Sequence, residues 1–339
     1  MLPSRRDFVA GLAAAGAMAA VARAAHTEEA GGDSLQSPAL APTAASTICP
    51  FRLSVINDEI SQDFDLACSI ASRDFGLQWI ELRSMWNKNV TELKPDEVER
   101  ARLILEKYML RVTDIASPLF KTDWPGAPLS KESPQHDQFH AGFDFKQQDE
   151  LLKHCIQLAQ TFHTDRIRCF DFWRLEDVKP YRDAINRKLR EAAQTCGKSN
   201  LLLVLENEMA CNTATGEEAA ETLAAVTESN FMLNWDPGNA ATFAGNTPYP
   251  NGYNLLPKHR IGHCHAKDVI RKPDGKPEWA PVGGGVVDWV GQFKALQHDG
   301  YRYAVSLETH WRGAGTPEAS TRISMKGLKE TLAQAGIRC

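Results

Sequence analysis

Four side chains that could bind a metal ion follow short apolar runs in the second half of the sequence. They are Glu206, Asp236, His265 and Glu308, spaced 30, 29 and 43 positions apart. Three carboxylates and an imidazole at the edge of an apolar core would repel one another unless a cation lay between them. This donor set suits Mn²⁺, Mg²⁺ or Co²⁺ better than a structural zinc site, which favours thiolates. We therefore predict one divalent metal ion, Mn²⁺ first, with Mg²⁺, Co²⁺ or Zn²⁺ as alternatives.

The elements that must position these side chains alternate between strand-like and helix-like patterns. We predict strands over 51–56, 77–82, 111–116, 165–170, 201–205, 231–235, 261–264 and 301–307. Apolar residues recur every three or four positions in the predicted helices, which are 95–109, 147–161, 181–195, 216–228, 288–298 and 318–335. The alternation favours an α/β fold, the single-domain (β/α)8 TIM barrel, in which the carboxyl ends of all strands converge. The competing fold is a doubly wound sheet, but the sequence has no G-x-G-x-x-G turn after the first predicted strand.

The segment 118–144 has little periodicity and predicts an insertion over the barrel mouth.

Composition excludes several classes of protein. The chain has 339 residues, 43% of them hydrophobic, and a net charge of −5, so no global basic field would attract nucleic acid. Eight cysteines are scattered without a C-x-x-C pair, which predicts neither a zinc ribbon nor a framework of disulfides. We expect a globular protein with a full core and no nucleic-acid partner.

The N-terminus carries the pattern of an export signal. Arg5 and Arg6 precede an uncharged, Ala/Gly-rich run that is too short to span a membrane, and the Ser-Arg-Arg-x-Phe context resembles a twin-arginine signal. We predict a signal peptide over 1–24, a flexible Ala/Thr/Ser/Pro-rich linker over 25–48 and the barrel over 49–339. The expected location is periplasmic or secreted, without stable membrane insertion once the signal is removed.

The residues around the four acidic and imidazole side chains resemble a known family. The sequence reads Glu206-Asn207, then Trp235-Asp236-Pro237-Gly238-Asn239, then His263-Cys264-His265-Ala266-Lys267-Asp268. This order resembles the xylose isomerase-like barrels, the AP endonuclease 2-type superfamily. That superfamily includes sugar phosphate isomerases and epimerases, ketose 3-epimerases, inosose dehydratases and endonuclease IV.

The resemblance implies roles for particular residues. Glu206, Asp236, His265 and Glu308 would be the metal ligands, and Glu206 and Glu308 would also exchange the substrate proton, as their counterparts do in the epimerases. Arg271 matches an arginine that holds a substrate hydroxyl. Asn239 stands where the ketose epimerases have a substrate-binding histidine, and this departure weakens the case for epimerisation of a free ketose.

Other side chains near the predicted mouth have two interpretations each. Lys267 would hold a substrate carboxylate or oxyanion, or else pair with Asp268. Glu81 would contact substrate, or else form an interstrand salt bridge. We also predict substrate contacts for His310, two residues after Glu308, and for Trp173, whose ring could stack on a sugar.

A shared intermediate leaves several reactions open. A metal that polarises a carbonyl would stabilise the enediolate formed when a neighbouring carbon loses its proton. We predict a metal-dependent isomerase or epimerase acting on a carbohydrate, with a dehydratase or lyase on a keto-sugar or 3-keto-glycoside as the alternative. A non-catalytic periplasmic sugar-binding barrel is the alternative of another class, and homo-oligomerisation stays open.

Overall fold

The computed structural model describes residues 49–131, 133 and 142–339. The predicted signal peptide and linker lie outside the described residues. Eight parallel strands with helices between them form a (β/α)8 TIM barrel, which confirms the predicted fold class. In chain order the barrel strands are β1 Arg52–Val55, β2 Trp79–Leu82, β3 Arg111–Leu119, β4 Arg166–Cys169, β5 Leu202–Glu206, β6 Phe231–Trp235, β7 Ile261–Ala266 and β8 Ala304–Leu307.

The strands pair in the spatial order β1-β8-β7-β6-β5-β4-β3-β2. The two end strands meet at a parallel bridge between Ile56 and Glu81, which nearly closes the barrel. The register between β6 and β7 shifts at Gly262, where a Cβ atom would lie 2.9 Å from the Cβ of Met232. A bulge at this point re-aims the residues that follow it, and His265 is among them.

Helices cover the outside of the barrel. In the described part of the chain they are α1 Asn57–Ile60, α2 Phe64–Ser69, α3 Pro95–Lys107, α4 Gln148–Thr161, α5 Arg182–Gly197, α6 Gly216–Ala225, α7 Pro237–Ala241, α8 Tyr253–Leu255, α9 Trp289–His298 and α10 Pro317–Gln334. All six predicted helices are present, with ends within three residues of the prediction. Local sequence fixes several starts. The Thr215 side chain accepts from the backbone N–H of Glu218, whose own side chain caps the backbone of Thr215 in return.

Polar side chains fill much of the barrel interior. Along β4, the buried Arg166 and Arg168 alternate with Ile167 and Cys169, which belong to the apolar core. Because successive strand residues point to opposite faces, the apolar set packs against the helices and the arginines point inward. The interior is therefore a network of charged and polar groups beneath the mouth.

The described part of the predicted insertion is held by aromatic packing. The ring centroids of Trp124 and Phe172 lie 4.8 Å apart, and those of Phe120 and Phe172 lie 5.2 Å apart. A bridge between Leu129 and Leu175 adds a backbone contact to the loop after β4. This packing fixes the start of the insertion against the wall of the barrel.

A disulfide joins Cys49, which precedes β1, to Cys339, which follows α10. The other six cysteines are buried and form no disulfide. The sequence indicated no disulfide framework, and this single bridge is the only pairing among the described residues. No helix in the described ranges has the length and apolar character needed to cross a membrane.

Candidate metal centre

Four adjacent strands, β5 to β8, bring the predicted ligands to one place at the carboxyl end of the barrel. Glu206 is the last residue of β5, Asp236 and Glu308 directly follow β6 and β8, and His265 lies near the end of β7. One donor atom from each lies within 4.8 Å of the others, and all four side chains are buried. The sequence predicted that these residues lie together, because parallel barrel strands end on one face. The structure brings them together there.

The imidazole of His265 is at the centre of this cluster. Its Nδ1 lies 3.3 Å from Oε1 of Glu206, 3.2 Å from Oε2 of Glu308 and 3.8 Å from Oδ2 of Asp236. Three carboxylate oxygens and one imidazole nitrogen, withdrawn from water, form a donor set that fits Mn²⁺, Mg²⁺ or Co²⁺. The residues present therefore fit the predicted divalent ion.

Glu81 lies behind the imidazole, away from the cleft. Its Oε1 is 3.1 Å from Nε2 of His265 and its Oε2 is 3.0 Å from Nε2 of His263, and all three side chains are fully buried. A carboxylate on the far nitrogen of a ligating histidine fixes the ring orientation and its tautomer. The sequence predicted a substrate contact or a salt bridge for Glu81, and the observed contacts are with these two histidines.

Buried cations contact the acidic members of the cluster. Nη1 of Arg168 donates to Oε2 of Glu206 at 3.0 Å, and Nη1 of Arg83 donates to Oε1 of Glu308 at 2.6 Å. The same guanidinium of Arg83 also binds Asp58 and Glu59, so a network of charges extends from β1 to β8. These pairs compensate the desolvation of the carboxylates, which would otherwise be prohibitive.

The charges of the cluster shift the pKa values of its members. Burial raises the pKa of Asp236 to about 6, although the Lys267 ammonium acts in the opposite direction. Burial also opposes ionisation of Glu206, but the charges of His265 and Arg168 outweigh it and lower the pKa of Glu206 to about 2. For Glu308, Lys267 and the neighbouring histidines outweigh burial and hold the pKa well below its ordinary value. Glu206 and Glu308 are therefore ionised at neutral pH.

Asn239 connects Glu206 and Lys267. Its Nδ2 donates to Oε1 of Glu206 at 3.2 Å and to the carbonyl of Asn207 at 3.0 Å, while its Oδ1 accepts from Nζ of Lys267 at 3.0 Å. The side chain is buried, and all of these partners are protein groups. A substrate contact by Asn239 remains a prediction, and the contacts observed here position Glu206 and Lys267.

Asp268 is the residue that the sequence analysis gave as the alternative partner of Lys267. Its carboxylate has a different role, because it binds backbone N–H groups. Its carboxylate accepts from the backbone N–H groups of Gly283, Gly285 and Val287, and so it closes the glycine-rich loop before α9. A Cβ atom at Gly285 would lie 2.1 Å from Oδ1 of Asp268, so the close approach requires glycine. Lys267 points instead to Asp236 and Glu308.

The remaining predicted substrate contacts lie at different distances from the cluster. Nε2 of His310 is 3.0 Å from Oε1 of Glu308, at the cleft. Trp173 packs in a small cluster with Phe170 at the wall, where Nζ of Lys121 lies 5.5 Å from its ring centroid. Arg271 lies in the hairpin after β7, and its guanidinium donates to the backbone carbonyls of Gly275 and Ala241, outside the cluster. The structure thus brings His310 to the cleft, whereas Arg271 is not among the described residues that line it.

The cleft above the cluster has a volume of about 20 Å³ and is lined by several residues that were not predicted to contact a substrate. They are Arg83, Asn89, Pro118, Lys121, Arg168, Phe170 and Glu208. The sequence of β4 could have indicated Arg168. Its arginines alternate with the apolar Ile167 and Cys169, which pack against the helices, so the arginines face the barrel interior. Lys121 lies in the predicted insertion, which therefore supplies part of the cleft.

No curated protein has a detectable match to the sequence. Among solved structures, the probable 3-DHS dehydratase of petrobactin synthesis from Bacillus anthracis has 19% identity and a TM-score of 0.61, over 82% of this chain and 97% of the other. A xylose isomerase-like TIM barrel protein from Mycobacterium smegmatis, solved in complex with magnesium, has 16% identity and a TM-score of 0.60, over 85% and 98%.

D-psicose 3-epimerase from Clostridium cellulolyticum H10, solved with D-tagatose, has 13% identity and a TM-score of 0.60, over 85% of this chain and 100% of the other. At these identities the similarity demonstrates the shared fold. The family model described as xylose isomerase-like TIM barrel matches residues 70–331, which is most of the described barrel. The chain therefore belongs to the xylose isomerase-like TIM barrel family, whose structurally similar members here are mostly enzymes.

Proposed function

We propose that this protein is a divalent-metal-dependent isomerase or epimerase that removes a proton next to the carbonyl of a sugar or sugar derivative. The observation that carries the proposal is the convergence of four buried donor atoms within 4.8 Å, beside a small cleft at the carboxyl end of the barrel. Glu206 and Glu308 belong both to this cluster and to the wall of the cleft. The same two carboxylates can therefore hold an ion and face a substrate.

The ligands for the ion are Glu206, Asp236, His265 and Glu308, with Mn²⁺ as the first expectation. When bound, a divalent ion would polarise a substrate carbonyl and stabilise the negative charge that forms on its oxygen. The family resemblance adds support, as does the magnesium complex of the structurally similar Mycobacterium smegmatis protein.

Glu206 and Glu308 are the proposed proton carriers. Both have a lowered pKa, so each is ionised at neutral pH, which is the form that accepts a proton from carbon, although the same charges make each a weaker base than a free glutamate. Arg168 on β4 and Arg83 directly after β2 hold these carboxylates, which fixes their orientation. Return of the proton to the same carbon from the other face gives an epimer, and return to the neighbouring carbon gives an isomer.

A dehydratase or lyase acting on a keto-sugar or 3-keto-glycoside is the second candidate. Asn239 favours it, because the position at which ketose epimerases have a substrate histidine here holds an amide whose polar atoms contact protein groups. Loss of a β-substituent from the same carbanion would expel water or an alcohol. The similarity in fold to a probable dehydratase agrees with this candidate.

A periplasmic or secreted location is part of the proposal. The paired Arg5 and Arg6 before an uncharged run support export. The bridge between Cys49 and Cys339 also supports it, because disulfides persist mainly in oxidising compartments.

The test is proton exchange in D₂O. The Mn²⁺-loaded protein is incubated with a panel of ketoses, keto-sugars and 3-keto-glycosides, and products are followed by NMR and mass spectrometry. Deuterium at the carbon next to the carbonyl, together with an isomeric sugar, supports the isomerase or epimerase. Release of water or of an aglycone supports the lyase, and tight binding without exchange supports the non-catalytic barrel.

Variants of two ligands test the metal site, and a variant of an exposed glutamate is the matched control. Glu308→Gln and His265→Ala should each lower the metal content and abolish exchange, while circular dichroism shows an intact barrel. Glu278→Gln, on the exposed part of the hairpin after β7, should change neither property. Full activity in either ligand variant would refute the proposal.

A further inference from the structure

The ammonium of Lys267 lies inside the cluster of acidic side chains. Its Nζ is 2.6 Å from Oε2 of Glu308 and 3.0 Å from Oδ2 of Asp236. These are the same two oxygens that face Nδ1 of His265, at 3.2 and 3.8 Å. The lysine side chain is buried, as are both carboxylates. A divalent ion at the cluster would therefore share two of its oxygen ligands with a fixed positive charge.

The fold holds Lys267 in this position. Gly238 is the second residue of α7, the helix after Asp236, and a Cβ atom there would lie 2.7 Å from the Cβ of Lys267, so the two backbones approach closely only because residue 238 is glycine. Nζ donates to Oδ1 of Asn239 at 3.0 Å and lies 5.1 Å from the ring centroid of Trp279. These contacts define one location for the ammonium.

The three carboxylates of the cluster have different cationic partners, and Lys267 is the partner of Asp236. Arg168 contacts Glu206, and Arg83 contacts the other oxygen of Glu308. Among the described residues, Lys267 is the only lysine or arginine within salt-bridge distance of Asp236. Without it, Asp236 would be a buried carboxylate beside two others, with the backbone N–H of Asn239 donating to its Oδ1 and the more distant His265 as its remaining basic neighbour.

We propose that Lys267 is a built-in counter-cation of the metal centre, which stabilises the metal-free cluster and weakens the binding of a divalent ion. Two positive charges that share the same carboxylates repel each other, and the repulsion is strong at short distance in a site withdrawn from water. Lys267 thereby keeps a three-carboxylate site from holding its metal irreversibly. The inference rests on the proposed function only in requiring that the cluster binds a divalent ion.

The experiment measures the affinity of Mn²⁺ for the full-length protein by isothermal titration calorimetry and chelator competition. Lys267→Met, which keeps the length of the side chain and removes its charge, should lower the Kd for Mn²⁺ at least tenfold. The thermal midpoint of the metal-free variant should fall, whereas that of the Mn²⁺-loaded variant should stay near wild type. If the metal-free variant does not fold, purification with Mn²⁺ followed by chelator competition gives the same constant.

Two further variants serve as controls. Lys267→Arg keeps the charge and should leave the Kd for Mn²⁺ within about threefold of wild type. Lys272→Met removes an exposed lysine that pairs with Glu278 on the same hairpin and should change neither the Kd nor the thermal midpoint. Equal or weaker Mn²⁺ binding by Lys267→Met would overturn the inference, because the lysine would then organise the ligands rather than compete for them.

The outcomes separate this inference from the proposed function. Tighter Mn²⁺ binding by Lys267→Met, in a protein that exchanges no substrate proton, supports the inference and contradicts the proposed activity. Exchange by the wild type with unchanged affinity in Lys267→Met does the reverse. A wild type that binds no Mn²⁺ contradicts both.

Discussion

Nη1 of Arg168 donates a hydrogen bond to Oε2 of Glu206 at 3.0 Å, and this buried pair joins two neighbouring strands of the barrel beneath the cleft. Nη2 and Nε of the same guanidinium donate to the backbone carbonyls of Ala116 and Ser117 on β3. The position of Arg168 is thus fixed by the backbone of one strand, and the orientation of Glu206 is fixed by Arg168.

Replacement of Arg168 should change the pH dependence of turnover. In Arg168→Gln the pKa of Glu206 should rise from its lowered value of about 2, because one of the charges that favour its ionised form is gone. The acidic limb of the kcat/KM profile should therefore move to higher pH. Turnover at pH 7 should fall on the order of tenfold or more, because Glu206 also loses the contact that fixes its orientation. Arg190→Gln, which removes contacts to the carbonyl of Ala225, is the matched control and should keep the wild-type profile. An unchanged acidic limb in Arg168→Gln would contradict the assignment.

Loss of the Glu81 carboxylate should weaken metal binding without touching a ligand. Glu81 contacts Nε2 of His265 and thereby leaves Nδ1 to face the other three donors. Glu81→Gln keeps the shape but can present its NH₂ to the ring, which favours the wrong tautomer, so the affinity for Mn²⁺ should fall about 10- to 100-fold. Titration calorimetry measures this change. The same experiment on Glu97→Gln, at the surface of α3, should give the wild-type constant, and equal affinities in both variants would refute the role of Glu81.

Much of this centre could be predicted from the sequence because each predicted ligand lies at or next to the carboxyl end of a strand. Glu206, Asp236, His265 and Glu308 needed only the rule that parallel barrel strands end on one face. The fold was equally accessible, since all eight strands and six helices follow from hydrophobic periodicity. After β6, Pro248 and Pro250 lie within a short irregular turn where a long helix would otherwise cover the strand, so periodicity gave only a faint signal there.

The partners of these residues could not be predicted in the same way. Arg83 and Glu308 are 225 positions apart, and Glu81 and His265 are 184 apart, so nothing in the local pattern connects them. The pairing follows from closure of the barrel, which brings β2 close to the last strands. Lys267 had a local partner available in Asp268, but that carboxylate is taken by backbone N–H groups of the following loop.

The stability of the barrel should depend on pH through Asp114. This residue lies on β3, fully buried, and neither carboxylate oxygen has a hydrogen-bond partner among the described residues. Burial, with a further contribution from the charge of Glu81, raises the pKa of Asp114 to about 8. Between the ordinary pKa near 4 and about 8, the folded protein holds a proton that the unfolded chain releases. The free energy of unfolding should therefore fall as pH rises through this window, by about 1 kcal/mol per pH unit from this group.

Asp114→Asn isolates that contribution. The variant cannot ionise at this position, so its stability relative to wild type should increase steadily from pH 5 to pH 8. Urea unfolding of both proteins at each pH gives the difference, in which the contributions of other groups cancel. Parallel stability profiles for the two proteins would show that Asp114 does not take up a proton on folding.

The bridge between Cys49 and Cys339 should stabilise the barrel by restricting its unfolded chain. The two residues are 290 positions apart, so the bridge closes almost the whole domain into one loop, and loss of such a constraint costs up to about 5 kcal/mol. The double variant Cys49→Ser/Cys339→Ser should melt at a lower temperature than the oxidised wild type and should not respond to reductant. Cys196→Ser, at a buried unpaired cysteine, is the control that keeps the response to reductant. Alkylation of the denatured, unreduced wild type should label six cysteines, which are the six outside the disulfide. Labelling of all eight in protein from an oxidising compartment would contradict the bridge.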